Sequence, residues 1–264
     1  MLLTMLGTGH AMVTNCFNTC FTLKKNNEYF LVDTGGGNGL LRQMKKANIN
    51  PNEISAVFIS HKHVDHITGC LWLFRIFLQN AARGKLDHPV TFYSHFEIIE
   101  FLEKTIHFLF DDHALIDKTI RFIPVEDKET ATILDCPVTF FDIHAQKVKQ
   151  FGFKMQINED ESLVFAGDES LNESEYPYIE NCAWLLTEAF CMHKDADIFH
   201  PYRIGHSTVK TASETAEKLN VHNLVLYHTE DSDLKNRKNN YINEGKQYFS
   251  GNIFVPDDLD QIKL

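Results

Sequence analysis

Three imidazoles and a carboxylate lie within six consecutive positions, His61-Lys62-His63-Val64-Asp65-His66. They follow Ala56-Val57-Phe58-Ile59, a short β-branched and aromatic run that reads as a buried strand. Open α/β sheets place their ligands at the C-terminal ends of such strands. In an extended segment residues i and i+2 share a face. His61 and His63 can therefore grip one ion while Lys62 and Val64 turn away. Asp65 and His66 begin a new segment and can face a second ion. Neutral imidazole suits zinc, copper, iron and nickel, and Asp adds a hard oxygen. Zinc is the first expectation, and iron or manganese also suits these donors.

This stretch resembles the signature of the metallo-β-lactamase superfamily, and three later segments extend the resemblance. Val138-Thr139-Phe140-Phe141-Asp142-Ile143 ends in His144, Leu163-Val164-Phe165-Ala166-Gly167 ends in Asp168, and Leu224-Val225-Leu226-Tyr227 ends in His228. The resemblance implies that His61, His63, His144 and Asp168 hold one divalent ion. It implies that Asp65, His66 and His228 hold the other, with Asp168 bridging. It also makes Asp33, in Asp33-Thr34-Gly35-Gly36-Gly37, a residue that steadies the metal loop. The spacing of those glycines fits neither the P-loop nor the dinucleotide fingerprint.

Two ions about 3.5–4 Å apart can hold a bridging hydroxide at neutral pH, because coordination lowers the pKa of water. That chemistry serves esters, lactams, thioesters and phosphodiesters alike. Two further motifs narrow the reaction. Thr187-Glu188-Ala189-Phe190 follows Trp184-Leu185-Leu186, and His206-Ser207-Thr208 opens an amphipathic helix reaching about Leu219. Helix capping is the ordinary role for Ser207 and Thr208. Together the two motifs resemble those of the ribonuclease Z branch, which cuts tRNA precursors at the 3′ side. By that resemblance His206 is the general acid at the scissile phosphate, Glu188 orients it, and Asp65 also orients the attacking hydroxide.

The chain departs from that branch in two places. Thr187 stands where the branch carries His. His144 and Asp168 are only 24 residues apart, which leaves no room for the long Gly/Pro-rich arm that clasps tRNA. Tyr176-Pro177-Tyr178 is too short to replace it.

The chain has 264 residues, 44% of them hydrophobic, enough for a sizeable core. With 25 basic and 36 acidic residues its net charge is −11, which argues against indiscriminate binding to nucleic acid or anionic membrane. No apolar run approaches the length of a bilayer span. Met1-Leu2-Leu3-Thr4-Met5-Leu6 lacks a basic n-region and reads as a first strand rather than a signal peptide. The six cysteines form no C-x-x-C pair, so free thiols in a reducing cytoplasm are expected. Cys16 and Cys20 are a weak metal hint beside that ordinary role. Lys147, Lys149, Lys154, Arg203, Lys210, Lys235, Arg237 and Lys238 could rim a phosphate site, although solvated faces are the commoner role for such charges.

Hairpins and strands are expected at Phe17 to Leu23, Tyr29 to Val32, Val90 to Tyr93, Arg121 to Val125, Ala131 to Leu134, Val138 to Ile143, Phe151 to Ile157 and Leu163 to Ala166. Helices are expected at Gly39 to Asn48, Gly69 to Ala82, Phe96 to Phe110 and Lys238 to Phe249. In the helix from Phe96, the residues Phe101, Ile106, Phe108, Leu109 and Phe110 suggest core packing, with a dimer face or pocket wall as the other role. The order of strands, helices, strands, helices, without a linker, predicts one α/β domain over residues 1–264. Two half-sheets face to face with helices outside give a four-layer αββα sandwich.

The expected function is a dinuclear metal-dependent hydrolase of the cytoplasm, most of all a phosphodiesterase. Its partner is a phosphodiester-containing substrate, small molecule or RNA, with no membrane and with a homodimer compatible. A hydrolase of a non-phosphate ester, thioester or lactam is the first alternative. A di-iron redox or sensing protein is the second.

Overall fold

A computed structural model describes residues 1–264. The chain forms two compact units. The first combines Met1–Gly7, Phe17–Glu126 and Leu259–Leu264, and the second combines Thr8–Cys16 and Asp127–Asp258.

The first unit contains β1 (Leu2–Gly7), β2 (Cys20–Lys25), β3 (Glu28–Val32), α1 (Gly39–Lys46), β4 (Ile54–Phe58), α2 (Val64–Ile67), α3 (Cys70–Ala82), β5 (Val90–Ser94), α4 (Phe96–Leu109), α5 (His113–Thr119) and β6 (Ile120–Pro124). The last strand of the chain, Gln261–Lys263, pairs with β1 to complete a seven-stranded sheet. Pairing is antiparallel from that edge to β3 and parallel from β3 to β6. The change follows from the connections. Asn26, at φ +56°, makes the tight turn of the β2–β3 hairpin, whereas the later strands are joined through helices, which parallel pairing requires. Leu40 and Met44 of α1, Leu73, Phe74 and Phe77 of α3, and Leu102 and Ile106 of α4 share one buried cluster with Leu31, Val57 and Phe92 of the sheet.

The second unit contains β7 (Thr130–Ile133), β8 (Cys136–Asp142), β9 (Phe151–Gln156), β10 (Ser162–Phe165), α6 (Tyr176–Ile179), β11 (Trp184–Glu188), α7 (Ala196–Phe199), α8 (Val209–Lys218), β12 (Asn223–Tyr227), α9 (Leu234–Gly245) and β13 (Asn252–Phe254). Its sheet repeats the plan of the first: β7 to β10 are antiparallel, and β10 to β13 parallel. Val209, Ala212 and Ala216 of α8 and Tyr241 of α9 pack with Leu185, Leu224 and Leu226. Thr208 caps α8, its hydroxyl accepting from Thr211 N–H. All six cysteines are free. No helix is long and apolar enough to cross a membrane.

Three expectations need correction. The final helix begins at Leu234, not Lys238, and ends at Gly245. Its inward-facing residue in the first turn is Arg237, whose guanidinium donates to the hydroxyls of Thr8 and Thr229, the Pro256 carbonyl and the Asp257 carboxylate. A turn that buries an arginine carries no apolar period. Helix α5 was not expected; Asp112 caps it through Leu115 N–H. On α4, Ile106 is buried and Phe110 packs against the core, but Phe101, Phe108 and Leu109 are exposed, Phe108 by 87%. Core packing does not account for those three. With Phe96 they leave an apolar patch on this unit.

Two close contacts shape the loops that carry the polar clusters. Gly69, between α2 and α3, lies under the Thr34 backbone, and a Cβ there would come 2.2 Å from the Thr34 carbonyl oxygen. Gly69→Ala is expected to cost about 2–3 kcal/mol by overpacking, read as a lower urea midpoint with unchanged slope. Glu175 is buried at the start of α6. One of its oxygens accepts Asn172 N–H at 2.8 Å and the other, Oε1, has no hydrogen-bond partner. Burial pushes the Glu175 carboxyl well above the usual carboxylate range. Between its ordinary and raised values the unfolded chain has lost a proton that the folded chain keeps, so stability falls as pH rises. Urea titrations of Glu175→Gln are expected to lack this slope, whose ceiling is about 1.4 kcal/mol per pH unit, and the variant gains on wild type from pH 5 to 8.

Candidate metal centre and acid–base pair

In the first unit the polar cluster grows from the parallel ends of β3 and β4. Asp33 follows β3 at φ +54°, a left-handed backbone that a non-glycine residue adopts only when its surroundings hold it there. What holds it is a full set of bonds. Its N–H donates to Phe58 O at 2.8 Å. Its Oδ1 accepts Ser60 N–H, and its Oδ2 accepts both the Ser60 hydroxyl, at 2.8 Å, and His66 Nδ1, at 2.7 Å.

Those bonds assign the histidine protons. Ser60 gives its only hydroxyl proton to Asp33, so its oxygen, 3.0 Å from His61 Nδ1, accepts from that nitrogen. His61 then carries its proton on Nδ1, and Nε2 presents a lone pair. His66 donates through Nδ1 and likewise presents Nε2. His63 Nδ1 stands 2.8 Å from His61 Nε2, and Asp65 Oδ2 stands 3.2 Å from His66 Nε2. The first pair is within hydrogen-bond distance; the second is two acceptors, which repel unless a proton or a cation lies between them. The donor set therefore fits a divalent cation, with Asp33 in the orienting role that carboxylates play behind metal-bound imidazoles. His61, Asp65 and His66 are buried, and α2 supplies Asp65 and His66 from its single turn.

In the second unit the corresponding groups stand at the ends of β8, β10, β11 and β12. Asp168 follows Gly167, whose φ is +73°. The Gln150 amide donates to Asp168 Oδ1 and its carbonyl accepts Asp168 N–H at 3.4 Å, a reciprocal clasp. Tyr227 donates its hydroxyl to the Gly167 carbonyl. His228, at φ +56°, brings Nε2 within 3.3 Å of Asp168 Oδ2. His144 stands apart. Its backbone is at φ +52°, its N–H bonds Asp142 Oδ1 at 2.8 Å, and its ring is 65% exposed.

Glu188 ends β11 and is wholly buried. Its Oε1 accepts Ser207 N–H, its own carbonyl accepts the Ser207 hydroxyl at 3.0 Å, and its Oε2 lies 3.7 Å from His206 Nδ1 without a hydrogen bond. His206 follows Gly205, at φ +74°, and stacks on Phe190 with ring centres 5.0 Å apart, 5.3 Å from the His228 ring. Burial holds the Glu188 carboxyl well above the usual range, against the pull of the Ser207 donors. Burial, then the nearby His228, lowers His206 to about 3, while Asp168 opposes. Burial thus works against the charged form of each group. Thr187 is buried with its hydroxyl unpartnered.

The sequence reading missed Ser60, Gln150 and His10. Ser60 and Gln150 decide how His61 and Asp168 are presented, yet a lone Ser or Gln beside a strand carries no chemical signature. The His10 ring lies 4.7 Å from Phe190 and 6.3 Å from His228. Its place directly after Gly7-Thr8-Gly9 was the available clue. Burial, then Asp258, pushes the Cys16 thiol up to about 12.

The chain is similar to several known proteins. A family model described as Anti-Pycsar protein Apyc1 matches residues 1–249. A Ribonuclease Z of Thermococcus sibiricus is 24% identical over 303 residues, spanning 98% of this chain and 95% of that protein. One from Thermobifida fusca is 23% identical, spanning 99% and 94%. Among solved structures, the metallo-β-lactamase fold protein YhfI of Bacillus subtilis superposes with a TM-score of 0.82 at 21% identity, over 99% of this chain and 98% of that one. Human short-form tRNase Z gives 0.75 at 21% identity, over 100% and 99%. The fold is thus of the α/β, αββα metallo-β-lactamase class. Matched along nearly its whole length, the chain belongs to the Anti-Pycsar protein Apyc1 family, within the ribonuclease Z-like branch of the metallo-β-lactamase superfamily.

Proposed function

We propose that this chain, a metal-dependent hydrolase by its family, is a phosphodiesterase for a small or flexible phosphodiester. The observation that carries this reading is the separate His206–Glu188 pair beside the strand-end donors. Hydrolysis of an ester with a good leaving group needs no second acid. A phosphodiester's leaving alkoxide does need a proton.

The ligand assignment follows the family pattern. His61, His63, His144 and Asp168 serve one ion, and Asp65, His66 and His228 serve the other, with Asp168 shared. Zinc is the proposed metal, with manganese or iron as alternatives on the same donors. When bound, such ions supply an activated water and neutralise charge on the substrate. Among the chain's own groups, Asp65 accepts a hydrogen bond from the attacking water. His206 delivers the proton to the leaving oxygen, and Glu188 Oε2 faces Nδ1 and positions the ring. An anionic phosphate entering beside His206 favours the imidazolium and so loads the acid.

A compact substrate suits the chain better than folded tRNA. The whole segment from His144 to Asp168 is two strands, β9 and β10, and their turn, with no arm to clasp a large RNA. The net charge of −11 works against a polyanion. A cytoplasmic single-domain enzyme belongs to the same reading, as does a homodimer, for which the exposed Phe101 and Phe108 of α4 offer an apolar face.

With bis-p-nitrophenyl phosphate, chelator-stripped protein reloaded with zinc or manganese is expected to turn over. Asp65→Ala is expected to reduce kcat/KM for this substrate by about 10³-fold; His206→Ala is expected to reduce it by about 10²–10⁴-fold for a dinucleotide, whose leaving alkoxide, unlike p-nitrophenolate, needs a proton. Full activity of His206→Ala on the dinucleotide removes the general acid, and turnover of a carboxylic ester or lactam but no phosphodiester removes the reading itself. For the dimer, sedimentation equilibrium of Phe101→Glu/Phe108→Glu is expected to show monomer where wild type shows dimer. A monomeric wild type would remove it.

A further inference from the structure

We infer that Lys147 grips a phosphate oxygen of the substrate on the His206 side of the pocket, making it a binding residue for the anion. This rests on the phosphodiesterase reading and adds to it a residue that recognises the substrate's charge. Three strand-end loops of the second unit are tied together here. The N–H groups of Gln146 and Lys147 both donate to the Glu169 carboxylate, at 2.9 and 3.4 Å. Ser170 N–H donates to Gly205 O at 2.9 Å. Glu169 follows Asp168 and Gly205 precedes His206, so the lacing holds Lys147 beside both segments.

The side chain then uses the space left by a glycine. A Cβ on Gly205 would meet Lys147 Cε and the Glu169 carboxyl carbon, each at 3.6 Å. The end of the lysine therefore lies over Gly205, one residue from the acid. Its ammonium makes no ion pair with any carboxylate, because Glu169 has turned its oxygens to backbone donors. Lys149, two residues on, lies instead over the Phe151 ring at 5.3 Å. The charge of Lys147 is also felt at His206, where it opposes protonation. An exposed ammonium without a carboxylate partner, held beside the acid, is free to meet an anion, and a compact point charge suits a single phosphate oxygen.

A hydrogen bond to a charged group is worth about 1.5–3 kcal/mol, or roughly 10- to 100-fold in binding. The test measures bis-p-nitrophenyl phosphate kinetics and competitive inhibition by inorganic phosphate, on metal-loaded wild type, Lys147→Ala and Lys147→Arg. Lys147→Ala is expected to raise KM at least about tenfold, to raise the phosphate Ki by the same ratio, and to change kcat by less than about threefold. Lys147→Arg is expected to recover most of the loss, and metal content and Tm are expected to match wild type. KM and Ki within twofold of wild type, or a loss confined to kcat, overturn the assignment of Lys147 while leaving the phosphodiesterase reading in place. A wild type that turns over no phosphodiester overturns both.

Discussion

A single buried carboxylate, Asp33, decides what the histidine cluster can do. It accepts three hydrogen bonds from Ser60 and His66, and through them it fixes a proton on Nδ1 of His61 and of His66. Both rings are left with Nε2 as an acceptor. Without that constraint the same imidazoles could turn or change tautomer, and their nearness would be ordinary polar packing. The carboxylate in turn depends on the backbone beneath it. β3 and β4 run parallel, so both strand ends arrive at the same edge, and Asp33 N–H closes on Phe58 O.

The second unit reaches a similar end by different means. Its clasp on Asp168 is a glutamine amide rather than a serine and a histidine. Its His206 is gripped by a ring stack and a buried acid. What the units share is backbone conformation. Asp33, His144 and His228 all lie in the left-handed region, as do the glycines at positions 35, 167 and 205. Non-glycine residues settle there only at a cost of order 1–3 kcal/mol each.

These features were unequally legible in the amino-acid order. His61 to His66, Asp168 and His228 announced themselves because each follows an apolar run, and the run's end tells where the side chain emerges. The two half-sheets and the helices α1, α3 and α8 followed from period and capping for the same reason. Pattern reading failed where a polar residue does an apolar residue's job. Arg237 fills the inward position of α9 with four hydrogen bonds, and the helix start was lost with it. It also failed on α4, where composition suggested core but Phe101 and Phe108 face outward. Hydrophobicity tells that a residue can be buried, not that a partner is there. Ser60 and Gln150 were invisible because their meaning lies wholly in what they touch.

The electrostatics of the second unit bear on substrate choice. Burial raises the pKa of Glu188 and lowers that of His206, so it works against charge on both. Such a pair is no strong lure for an anion by itself, and the chain as a whole repels one with a net charge of −11. Attraction must therefore be local, from divalent ions and from any ammonium with no partner of its own. A local field of that kind falls off within about a Debye length of 8–10 Å. It can gather one phosphate and little more. A long polyanion would carry most of its charge beyond that reach, against an acidic surface, and this is the reason for proposing a compact phosphodiester.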